Sequence, residues 1–105
     1  MLDLFIPAFA TRVVVYLHPI NVRWGATKLR AFCTETLGIE PDYSTAFVFA
    51  NKARDCLLMY SLDHADGQIV LKKLERGAFL LPAAPNEDTP YVILGPKMIS
   101  RLFRS

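Results

Sequence analysis

Residues 45–75 read TAFVFANKARDCLLMYSLDHADGQIVLKKLE, and this stretch decides the fold class. It holds three extended segments. Thr45–Ala50 alternates, with Phe47 and Phe49 on one face and Val48 on the other. Cys56–Leu62 is apolar and rich in strand formers, and Gln68–Glu75 mixes Ile69, Val70 and Leu71 with lysines. Asp66-Gly67 between the last two is a strong hairpin signal, because a tight turn needs positive φ. The expected arrangement is an antiparallel meander.

Upstream, Arg12–His18 carries Val13, Val14, Val15, Tyr16 and Leu17 and predicts a further strand, ended by Pro19. Ala26–Leu37 predicts a helix whose stripe of Leu29, Phe32, Cys33 and Thr36 faces a core. Gly38 supplies its C-terminal stop. Downstream, Ala78–Leu81 extends the pairing, and Pro82–Pro90 is a loop with three prolines. Tyr91–Leu94 predicts a short strand. A helix follows from Pro96, with Met98, Ile99, Leu102 and Phe103 on its apolar face and Lys97, Arg101 and Arg104 on a basic one. The expected fold is α+β: a small curved antiparallel sheet of about five strands, packed by one helix, with a second helix at the C-terminus.

The 105 residues fit a single domain spanning 1–105, and 52% apolar residues suffice for a core. A chain this short buries a limited share of its surface, so a homodimer is compatible with it. Cys33 and Cys56 lie in apolar runs and read as buried free thiols, which points to a reducing cytoplasm. The N-terminal stretch is apolar but has no basic leader region and carries Asp3, which argues against a secretory signal. No apolar run reaches the roughly 18 residues of a membrane span.

Catalytic chemistry finds little support. Two-metal phosphoryl transfer needs converging carboxylates. The candidates Asp55, Asp63, Asp66 and Glu75 are more simply explained as turn and strand-end residues. His18 and His64 lack any surrounding motif, and apolar surroundings oppose activation of either cysteine. The glycines are isolated, and no Cys/His spacing suits zinc. No catalytic residue, metal or cofactor is expected.

The basic residues are the remaining signal. Arg23 adjoins Trp24, Lys52 and Arg54 share a loop, Lys72 and Lys73 are adjacent on a strand and so point to opposite faces, and Arg76 lies in the next turn. These six could contact the phosphates of double-stranded DNA. The alternative is a solvated face, since a net charge of +2 is mild. Trp24 could stack on a base or plug the core.

Several stretches resemble one family, the TnpB accessory protein encoded by the second open reading frame of IS66-type insertion sequences. Asn21-Val22-Arg23-Trp24-Gly25 stands where that family has Asp-Met-Arg-Lys-Gly, and Leu37-Gly38-Ile39-Glu40-Pro41 where it has Leu-Gly-x-Asp-Pro. Phe47-Val48-Phe49 precedes the loop Asn51-Lys52-Ala53-Arg54, as in the family. Leu62-Asp63 stands for its Trp-Asp before the hairpin glycine, here Gly67. The most specific match is Lys72-Lys73-Leu74-Glu75-Arg76-Gly77-Ala78-Phe79-Leu80-Leu81-Pro82. The departures are Trp24 in place of a lysine, a less basic loop around Lys52, and the absent tryptophan before Asp63.

The resemblance implies a non-catalytic accessory role beside a separate transposase. Its expected partners are double-stranded DNA, the transposase of the same element, or both. The alternative is a protein-binding adaptor or homo-oligomeric interaction domain without DNA contact, docking on the transposase or on a second copy of itself and anchored by Trp24, Tyr91 and Phe103.

Overall fold

The computed structural model describes residues 6–7, 9–63, 66–84, 86, 88–95 and 97–98. Five strands form one sheet: β1 (Arg12–Pro19), β2 (Thr45–Ala50), β3 (Cys56–Asp63), β4 (Asp66–Lys73) and β5 (Tyr91–Leu94). Helix α1 (Ala26–Ala31) runs directly into a π-helical stretch, Phe32–Leu37.

The strand order is β4-β3-β2-β1-β5. β2, β3 and β4 form the expected meander, and β5 pairs antiparallel with β1. The sheet is nevertheless mixed, because β1 and β2 run parallel, with Val14 opposite Phe47 and Val15 opposite Val48. The helix between them is the cause. A strand, a helix laid across the sheet and a return to the starting end make a crossover, and a crossover joins parallel neighbours. This corrects the antiparallel expectation.

Parallel pairs are stable when both faces are covered, and here they are. All six residues of β2 are buried. Val14, Phe47, Phe49, Leu58 and Tyr60 pack under Leu29, Cys33 and Leu37 of the helix. Val13, Val15, Ala46, Val48, Leu57 and Met59 pack on the other side against Ile6, Ala10 and Phe79, which come from irregular chain.

The helical stripe differs from the expected one. Leu29, Cys33 and Leu37 are buried, whereas Thr36 is exposed. The π-helical turn spaces its backbone bonds one residue wider and hands the inward position to Leu37. Gly38 ends the helix at φ 71°, and its N–H donates to the Cys33 carbonyl.

The hairpin also closes differently. Asp66 and Gly67 are strand residues, opposite Asp63 and Leu62, so the connection is the pair 64–65, outside the described residues. His64 falls there. Residues 78–81 are irregular and do not extend the pairing. Of the expected C-terminal helix, Lys97 and Met98 have 3-10 geometry, with the Met98 N–H bonded to Gly95 O at 3.0 Å. Its remaining residues, with Arg101, Phe103 and Arg104, lie outside the described residues.

Candidate nucleic-acid interface

The sheet register decides which loops share an end. β1 and β2 finish together, where the Ile20 N–H donates to Ala50 O at 2.9 Å. β3 begins and β4 finishes at that same end, with Cys56 opposite Lys73 and Leu57 opposite Lys72. The β2–β3 loop, the end of β4 and the following turn therefore meet. They bring Lys52, Arg54, Lys72, Lys73 and Arg76 to one end of the sheet, with Lys72 and Lys73 pointing to opposite faces of β4. The loop carrying Arg23 also leaves from this end, and Arg23 is exposed.

The β2–β3 loop is built around Asn51. Its Nδ2 donates to Asp55 Oδ1 at 2.6 Å, and its Oδ1 accepts from the N–H groups of Asp55 and Cys56, both at 3.1 Å. The Asn51 carbonyl accepts from the Arg54 N–H at 3.1 Å. These bonds close the loop tightly, and Arg54 takes a left-handed conformation with φ 58°. Two longer bonds in sequence fasten the post-β4 turn to the loop: Leu74 N–H to Asp55 O at 2.7 Å and Phe79 N–H to Arg54 O at 2.6 Å. Phe79 is fully buried and pins the turn that carries Arg76.

Lys52, Arg54, Lys73 and Arg76 are exposed, and Lys72 is partly so. Among the described residues the carboxylates at this end are Asp55 and Glu75, and Asp55 already accepts from Asn51. The opposite end is different. There Arg12 Nη2 lies 3.7 Å from Asp42 Oδ2, and Arg12 Nε donates to Thr45 Oγ1 at 2.6 Å. Hydrogen bonding from Ser44 is the main cause that holds the Asp42 carboxyl below its usual range. Arg30 Nη2 pairs with Glu40 Oε1 at 3.2 Å. Arg12 and Arg30 thus have acidic partners, and among the described residues the β2–β3 end carries five cations against two carboxylates.

Trp24 packs against the core. Its ring lies on Phe32, with centroids 5.4 Å apart, and the Lys28 ammonium sits 4.5 Å above it. His18 is exposed, edge-on to Tyr16 at 5.6 Å. Tyr91 is half-buried on the helix side.

The four candidate acidic residues lie, by their backbone positions, at the two ends of the β3–β4 hairpin. Asp55 and Glu75 flank one end, and Asp63 and Asp66 pair at the other. Among the described residues no three ligating side chains form a group that could hold a metal. Cys33 and Cys56 are buried free thiols, and burial pushes both up, Cys33 to about 12. A thiol so placed stays protonated and is a poor nucleophile.

Asn51 is not among the residues singled out by charge or motif in the sequence. Its signal was present as an Asn followed four residues later by Asp, flanking two cations between strands.

A family model described as IS66 Orf2 like protein matches residues 11–103. No curated protein and no solved structure matches the chain.

Proposed function

The chain belongs to the IS66 Orf2-like family, the accessory proteins of these insertion sequences, and from that premise we propose that it assists transposition by binding double-stranded DNA through the β2–β3 end of its sheet. The supporting observation is the register. It brings Lys52, Arg54, Lys72, Lys73 and Arg76 to one end of the sheet, beside two carboxylates among the described residues and next to loops stiffened by Asn51 and Phe79. Arg23, exposed on the loop that leaves β1 at this end, is a sixth candidate contact. Cations held in place lose little freedom on meeting phosphate, and their contacts carry no base preference. The protein acts as a backbone-reading module, and strand transfer belongs to the transposase.

Titration of fluorescent duplex DNA at several salt concentrations tests this. Each phosphate contact steepens the logarithmic salt dependence by about 0.9. Lys73→Ala with Arg76→Ala weakens binding and flattens that slope by about two. Unchanged affinity in the double variant refutes the proposal. No binding at low salt points instead to an adaptor that docks on the transposase, the next ligand to test.

A further inference from the structure

β4 is the long edge of the sheet. β3 lies on one side of it, and the strand order places no described strand on the other. Such an edge leaves half its backbone N–H and C=O groups without a ladder partner, ready to pair with another strand. Edge strands are commonly guarded by charge. Here Asp66, Lys72 and Lys73 stand near the ends, and the centre, Gln68–Leu71, has none. Ile69 and Leu71 are 36% and 54% exposed, although Tyr60 and Leu58 opposite them are buried on the helix side. The helix meets β4 near Gly67, where Ala26 approaches, and leaves these two side chains bare.

We infer that β4 pairs antiparallel with β4 of a second copy, joining two sheets into one of ten strands. Opposed residues in a ladder share a face, so the two-fold axis passes through a residue. With the axis through Val70, Ile69 of each copy sits against Leu71 of the other, and the bare apolar pairs cover one another. Gln68 then opposes Lys72, and Gly67 leaves room for Lys73. Asp66 comes diagonal to Lys72 of the second copy, on the same face and within reach of it. The strand complements itself in charge and in apolar surface, which selects a second copy over an unrelated strand. The inference rests on the sheet edge; it shares Lys72 and Lys73 with the proposed DNA surface and is tested without DNA.

Sedimentation velocity of the full chain, without DNA, from low micromolar to near-millimolar concentration is the test. The expected result is a reversible dimer. Leu71→Lys, at an exposed position, weakens it by about tenfold or more with the melting temperature unchanged. Val70→Cys, on the axis, gives a disulfide-linked dimer under mild oxidation, while Cys33 and Cys56 stay buried. A monomer at every concentration overturns the inference, as does a dimer indifferent to Leu71→Lys. A dimer that Val70→Cys fails to link overturns the register. Protected β4 amides in a monomer overturn the inference too, because the chain's own residues then cover the edge.

Discussion

The Phe79 N–H donates to the carbonyl of Arg54 at 2.6 Å, and Arg54 is the one described residue other than glycine with positive φ. A buried aromatic thus anchors the strained residue of a cationic loop. Left-handed backbone costs a residue with Cβ about 1–2 kcal/mol, and glycine avoids most of that. Arg54→Gly is expected to raise stability by up to about 1 kcal/mol, after the added freedom of the unfolded chain is counted. It should also weaken DNA binding. Urea melts and DNA titrations on the same variant check both; lower stability would mean that the conformation carries no strain.

Gly67 is fixed by a close approach. A Cβ there would stand 2.8 Å from Tyr60 Cε1 and 3.2 Å from Ala26 Cβ. Tyr60 is 1% exposed and cannot swing aside. Gly67→Ala should therefore cost about 1–3 kcal/mol in a urea melt, through displacement of the helix start or of the Tyr60 ring.

Ser61 is buried with its Oγ unpartnered among the described residues. A buried hydroxyl without a bond is a net cost. Ser61→Ala should leave stability unchanged or raise it by about 1 kcal/mol. A clear loss in a thermal melt would reveal a partner for that hydroxyl.

Burial holds Cys33 protonated up to about 12, against an ordinary 9.0. Between those values the unfolded chain releases a proton that the folded chain keeps. Stability is therefore fully present below about pH 9 and falls as pH rises, by at most about 1.4 kcal/mol per pH unit from this group. Burial also raises Cys56, Tyr16 and Tyr60, in the same direction. Denaturant melts from pH 8 upward should show the decline, and Cys33→Ala should make it shallower.

The strands were legible because their chemistry is local. Val13–Val15, Phe47–Phe49 and Leu57–Tyr60 announce themselves by branching and alternation, and Gly38 marks the helix stop. The direction of β1 against β2 was not, because it depends on where the helix lays the chain down and not on either strand's residues. Thr36 was placed inward by a period of 3.6, which the π-helical turn does not keep. Asp66-Gly67 has the composition of a turn, yet Gly67 is needed to admit Tyr60. For the candidate site, the six cations could be named from sequence, but the convergence of five of them at one end follows from a register that only the folded sheet sets. The strain at Arg54 is a matter of backbone geometry, which residue type alone does not disclose.

The cationic end is drawn from chain segments about twenty residues apart, stitched by the Leu74–Asp55 and Phe79–Arg54 bonds. It is a conformational epitope. A peptide spanning the β2–β3 loop would carry Lys52 and Arg54, and one spanning the later turn would carry Lys73 and Arg76. Neither would hold its charges at the spacing of the folded surface. A binding screen built on short fragments would register generic attraction to polyanions and miss the surface, and a copy truncated before Phe79 would lose it.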